Sequence, residues 1–342
     1  MLQLKSFFIL VPVLLYFIYK VKTGISNGEN VQVALFSIDK CNIIKGIMAI
    51  LIVITHIGNE ITANGLRIST ICNWGGVCVS TFFFISGYGL MLSYKKKGTE
   101  YLNSFFRKRL LKLLPPFLIA TFVWIFIKVF LYGYDISGIC VDFANGAPPL
   151  PNSWFVYIII LLYAVFYASM RIDSKLKRGG IFIALILVFL ITIIPYSIGW
   201  GIEWYGNTMA FFIGMVWAKE EKRIRDIVQR HRVGILILTL TICLIYMAAI
   251  VLHIEQYFPL RYSWIVSATI AVTCYFIKDR TYNYILIWLG TISFEIYLIH
   301  GIFLYVFNPM IDHTTLYFIL CISVTVTLSW ILHYVCGRIK CQ

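Results

Sequence analysis

Apolar runs long enough to cross a membrane recur along the chain, parted by short polar breaks. They fall near residues 6–19, 43–59, 76–93, 110–131, 154–170, 180–198, 204–218, 233–252, 262–277, 284–307 and 315–336. The pattern predicts an all-α polytopic membrane protein with about 11 transmembrane helices and no soluble domain of ordinary size between them. For the run at 6–19 a cleaved signal peptide is the rival reading. No small-x-small cleavage site follows its apolar core, and Lys20 and Lys22 come next, which favours a retained helix. There is no internal repeat, no low-complexity tract and no pair of helices broken by Gly or Pro at matching positions, so the signature of an inverted-repeat transporter is missing.

Charge gives the helices a direction. Alternate breaks and the C-terminus together hold 25 of the 29 Lys and Arg, whereas the opposite side has Lys5, Arg67 and Arg261, and Lys128 falls inside a run. Cytoplasmic loops carry the positive excess, so the N-terminus is expected outside and the C-terminus in the cytoplasm. The segment 132–153 has no Lys or Arg and is rich in Gly, Pro and Asn, as an ordered outside loop would be.

Composition agrees with a membrane protein: 60% of residues are apolar and 13% charged. The net charge of +14 argues for no nucleic-acid partner, because the basic residues occupy the breaks where topology alone would put them. Nine cysteines form no CxxC and no cluster with histidine at metal-ligand spacing. Cys72, Cys78 and Cys140 fall on the external side, which leaves room for one disulfide there.

Candidate chemistry concentrates in the stretch from Asp39 to Glu60, DKCNIIKGIMAILIVITHIGNE. Lys45 opens its apolar run and His56 closes it, which puts a cation and an imidazole roughly 16 Å apart along a helix. Glu60 follows His56 by four residues on the same helix face. A carboxylate there can fix an imidazole's tautomer for general-base work, although the same pair also suits a polar cap on an external helix end.

His300 lies inside TISFEIYLIHGIF with Ser293, Glu295 and Tyr297 close by. Ionisable groups at membrane depth mark either a functional cavity or a polar network that holds helices together. Residues 82–118 contain Tyr88, a polybasic break, and Arg107, Arg109 and Lys112. These cations suit phosphate groups at an inner mouth, and positive-inside bias would place them equally well. Trp74, Trp154, Trp200 and Trp204 suit an interfacial belt or stacking on a sugar ring. His231, His253, His313 and His333 have no carboxylate or cysteine arrangement that suggests a metal.

Six segments occur in an order that resembles the membrane acyltransferase-3 family, integral membrane O-acyltransferases of surface glycans. They are Lys45 with His56 eleven residues on; Phe83, Phe84, Ser86, Gly87 and Tyr88; Arg107, Arg109, Leu110, Lys112, Leu113 and Pro115; Trp154 and Phe155; Phe211, Phe212 and Gly214; and Ser293, Tyr297, Leu298 and His300. The resemblance runs from about residue 37 to 336. It departs at Lys45 and Asn42, where the family usually has Arg and Asp, and Lys lacks the planar fork of Arg.

The resemblance implies a ten-helix core over 37–342, with residues 1–36 as an added N-terminal helix and linker and no SGNH-hydrolase-like domain. It implies acetyl-CoA as acyl donor, no metal, and transfer of an acetyl group to a hydroxyl of an extracytoplasmic polysaccharide or its lipid-linked precursor. On this reading Lys45, Arg107, Arg109 and Lys112 bind the donor. His56, oriented by Glu60, acts as base or nucleophile, with His300 and Glu295 in the same cavity, and Tyr88, Trp154 and Tyr297 meet the acceptor. The expected setting is the bacterial plasma membrane, with membrane lipid and a separate extracytoplasmic transferase or a second copy as partners. A glycan or lipid transporter, a flippase, a structural or sensory subunit, or acyl transfer to a non-glycan acceptor are the alternatives.

Overall fold

A computed structural model describes residues 37–63, 74–144, 147–176, 179–252, 254, 257–278, 283–308 and 314–339. The helix expected at 6–19 lies outside the described residues. Elsewhere each expected run becomes a helix: α1 (Ile38–Ala63), α2 (Gly75–Lys97), the short α3 (Glu100–Asn103), α4 (Phe105–Tyr132), α5 (Ile136–Ala144), α6 (Trp154–Leu176) and α7 (Gly180–Ser197). These are followed by α8 (Met209–Lys219), α9 (Glu221–Arg230), α10 (Arg232–Val251), α11 (Phe258–Lys278), α12 (Tyr284–Thr291), α13 (Ser293–Phe307) and α14 (Thr314–Ile339). No strand occurs among the described residues.

Among the described residues six single helices are long and apolar enough to cross a membrane: α1, α2, α4, α6, α7 and α14. The two bent pairs, α9 with α10 and α12 with α13, raise the number to as many as eight. Two expectations change here. The run at 204–218 is a 3-10 turn at Ile202–Trp204 followed by an 11-residue helix, about 16 Å long and so only half the depth of a hydrocarbon core. The run at 284–307 is two helices meeting at 73° around Ile292. Periodicity could not reveal that bend, because residues on both sides of it are equally apolar.

Close backbone contacts explain the bend's neighbourhood. A Cβ at Gly290 would strike the Asn42 carbonyl, and one at Gly46 would strike the Leu286 carbonyl and come within 3.0 Å of the Gly290 nitrogen. Helix α12 therefore lies directly on the first turns of α1. Helix α13 then continues along α1, with Ile292 and Ile296 packed against Ala49, Val53 and Ile57.

A second glycine crossing joins α2 to α8. A Cβ on Gly87 would meet the Phe211 carbonyl, and one on Gly214 would meet the Phe84 carbonyl. Small residues at such a crossing let two helices approach backbone to backbone, the main route to tight packing where surrounding lipid supplies no hydrophobic drive. The segments 83–88 and 211–214 are thus two halves of one contact. Lys95 Nζ completes it by donating to the Ala218 and Lys219 carbonyls at 2.8 and 3.2 Å, where α8 ends and its carbonyls lack helical partners.

Of the cysteines expected to share a side, Cys78 is buried and Cys140 exposed, and both are free thiols. Cys72 lies outside the described residues.

Candidate active site

Helix α1 carries a cation near its start and an imidazole eleven residues on, and the structure supplies each with company from another helix. Half-buried Lys45 is within electrostatic reach of Lys112 on α4 and of Cys41 one turn back. Two cations within reach of each other are an arrangement that suits an anion.

The basic segment of α4 divides by helical phase. Residues two apart point about 200° from one another around a helix, so Arg107 and Arg109 cannot share a face. Arg109 turns inward, with its guanidinium 5.8 Å from the Tyr163 ring and 6.0 Å from the rings of Tyr101 and Phe105, and its Nη2 donating to the Tyr101 hydroxyl. Tyr163 in turn shares a 3.3 Å hydrogen bond with Ser86 of α2. Arg107 instead turns outward and stands at one end of an apolar groove that passes Leu111, Pro115 and Leu118 to Phe122. Arg107 therefore leaves the expected grouping: Arg109 sits among its aromatic rings, Lys112 follows it by three residues on the same side of α4, and Arg107 is on the outer face.

At the other end of α1, His56 meets His300. Their ring centroids are 5.0 Å apart and the planes tilt by 43°. His300 is fully buried, and its Nδ1 lies 2.6 Å from the Tyr297 carbonyl, an acceptor that requires the proton to sit on Nδ1. The remaining nitrogen, Nε2, carries a lone pair and finds no hydrogen-bond partner among the described residues. His56 is only partly buried, so it is the member of the pair that a second molecule can touch. A partly buried imidazole against a fully buried one whose tautomer is set by the backbone is an arrangement suited to taking a proton and passing it on.

Tyr297 packs its ring 5.6 Å from His300 and 4.9 Å from Phe155, and its hydroxyl donates to the Asn152 carbonyl at 2.5 Å. Trp154 is half-buried with its ring 6.4 Å from that of Phe155. Tyr88 is elsewhere: buried in the α2–α8 contact, it donates its hydroxyl to Glu221 at 2.8 Å and does not reach the histidines. Glu60 continues α1 beyond His56, and its side chain lies outside the described residues.

Glu295 departs from the expected grouping too. It is buried, and its carboxylate accepts from His333 Nδ1 on α14 at 2.8 Å rather than serving His300. Sequence spacing had no means of finding this pair, since its members are 38 residues apart on different helices. Among the described residues no three His, Cys, Asp or Glu side chains come together as a metal ion would require.

A family model described as an acyltransferase domain matches residues 38–334. Comparisons with curated proteins and with solved structures found no match.

Proposed function

Since the chain belongs to the acyltransferase-3 family, and is thus a membrane acyltransferase, we propose that it moves an acetyl group from cytoplasmic acetyl-CoA to a hydroxyl of an extracytoplasmic glycan or its lipid-linked precursor. The bacterial plasma membrane is the setting that fits. The observation that carries this reading is the His56–His300 pair, whose His300 Nε2 has no partner among the described residues, held at the opposite end of one helix from Lys45. The two are roughly 16 Å apart along the helix, a span that an extended pantetheine arm can cover.

In the proposed orientation Lys45, Lys112 and Arg109 lie at the cytoplasmic mouth and hold the phosphates of the donor. Lys45 does so as a point charge, since it lacks the fork with which Arg grips two phosphate oxygens at once. The thioester then reaches the depth of the histidines. His56 takes the proton of the acceptor hydroxyl as that oxygen attacks the thioester carbonyl, and returns it to the departing thiolate. His300, kept neutral at Nε2 by its Nδ1–H bond to the Tyr297 carbonyl, accepts the second N–H of His56 as the site tightens around its substrates.

The bend between α12 and α13 lends some weight to a transporter, since broken helices form the substrate sites of many. The other bent pair joins the short, charge-rich α9 to α10, so no matching half repeats it among the described residues. One experiment separates the two functions. Radiolabelled acetyl-CoA is supplied to the cytoplasmic face of oriented vesicles carrying wild type, His56→Ala or Arg109→Ala, with insertion checked. Label is expected in glycan on the opposite face with the wild type alone. Glycan that crosses without gaining label would replace the acyltransferase by a transporter.

A further inference from the structure

The segment before α6 does more than connect two helices. Asn152 has φ 62°, and it is the sole residue other than glycine with positive φ among the described residues. Its carbonyl accepts the Tyr297 hydroxyl. Its side-chain nitrogen lies 3.3 Å from where a Cβ on Gly301 would be, and Pro151 Cβ lies 2.9 Å from the same point. Any side chain at 301 would push the segment away, so Gly301 is what lets it sit against α13. Tyr297, His300 and Gly301 fall on one side of that helix, three and four residues apart.

Two buried polar groups beside this contact have no partner among the described residues. They are His300 Nε2 on α13 and the hydroxyl of Ser153, the residue after Asn152. Buried polar groups are normally paired, and residues held in uncommon backbone regions cluster where a site requires them. Asn tolerates positive φ better than most residues, so a turn alone could explain its presence. A turn leaves unexplained why the amide is brought against the helix face next to two buried groups without partners.

We propose that Asn152 donates, through Nδ2–H, to the carbonyl oxygen of the acyl group during transfer at the His56–His300 pair. This rests on the acyltransferase reading above. The acceptor hydroxyl oxygen forms a bond to the thioester carbon, the carbonyl π pair moves onto oxygen, and the hydroxyl proton passes to imidazole. Asn152 holds the resulting oxyanion. As the C–O double bond re-forms, the C–S bond breaks and the imidazolium returns its proton to the departing thiolate. A donor aimed at charge that exists only in the transition state lowers the barrier without tightening ground-state binding.

The test compares full-length wild type with Asn152→Gly and Asn152→Asp in vesicles, using radiolabelled acetyl-CoA and a cell-envelope glycan fraction as acceptor. Glycine keeps the positive φ and the carbonyl that Tyr297 needs while deleting the amide, so the fold is preserved. The expected result is a kcat about 10²–10³-fold lower in both variants, an acetyl-CoA KM unchanged within about twofold, and thermal stability of the Gly variant equal to wild type. A Gly variant with wild-type kcat overturns the role of Asn152 alone, and so does a loss of activity that merely tracks a loss of stability. A correctly inserted wild type that transfers no label removes the reading of acetyl transfer from acetyl-CoA to glycan, and this inference with it.

Discussion

Two contacts between helices can be set side by side: the crossing of α2 with α8, and the meeting of α1 with α13. In the first, Gly87 and Gly214 bring backbones together, Tyr88 reaches Glu221, and Lys95 closes the carbonyl end of α8. In the second, Gly46 and Gly290 bring α12 onto α1 just as closely, yet the helix then bends, and two imidazoles meet with one nitrogen unpaired. Both contacts contain segments that resemble family motifs. The first leaves an indole N–H, Trp217 Nε1, without a partner among the described residues, whereas the second leaves an imidazole nitrogen, so the same kind of sequence signal marks a joint in one place and the proposed chemistry in the other.

The largest expected effect tests the chemical side. His56→Ala and His300→Ala should each lower kcat about 10²–10⁴-fold while the inserted, detergent-purified protein melts within a few degrees of wild type. If either variant kept full transfer in the vesicle assay, the histidine contact would become another joint. The converse belongs to the crossing. Gly214→Ala should destabilise the protein by about 1–3 kcal/mol through overpacking, because backbone and not a flexible side chain blocks the new Cβ; thermal unfolding and insertion yield report it, and the turnover of whatever protein inserts should stay near that of wild type.

A smaller change sharpens the division within the crossing itself. Tyr88→Phe removes one hydrogen bond to a carboxylate and should cost about 1.5–3 kcal/mol of stability, with no change in kcat per folded molecule. A drop in kcat at unchanged stability would return Tyr88 to the acceptor site. The smallest expected effect concerns α4. Arg109→Lys loses the planar stack on Tyr101, Phe105 and Tyr163 and should raise the donor KM, by roughly tenfold for about 1.4 kcal/mol. Arg107→Lys, on the outer face, should leave KM within about twofold. Equal effects of the two substitutions, measured by initial rates against acetyl-CoA concentration, would mean that both arginines reach the donor.

Hydropathy made most of the helices legible, because a helix that must cross an apolar layer announces itself in every residue. It failed at Ile292 and at α8. A bend inside a uniformly apolar stretch changes no residue's polarity, and Gly290 is present for its contact with Asn42 rather than as a visible breaker. Lys45 and His56 could be read as two ends of one helix from spacing alone. That His300 shares a cavity with His56 was implied by the resemblance and not by physics, as was a role for Tyr297 beside the acceptor. The separation of Arg107 from Arg109 was available from a 100° step per residue. The pairing of Glu295 with His333, and the approach of Asn152 to Gly301, depend on which helices become neighbours, information that no local pattern contains.

The bend at Ile292 has an electrostatic consequence for the interior. A helix that begins within an apolar stretch leaves its first N–H groups without helical acceptors and carries about half a positive charge there. Helix α13 has no side-chain cap at that end, and Glu295 is the acidic residue of its first turn. The carboxylate thus answers two positive poles at once, the dipole of its own helix and the imidazole of His333. Neutralising it would leave the start of α13 as an uncompensated pole, with the helix that carries His300 attached to it.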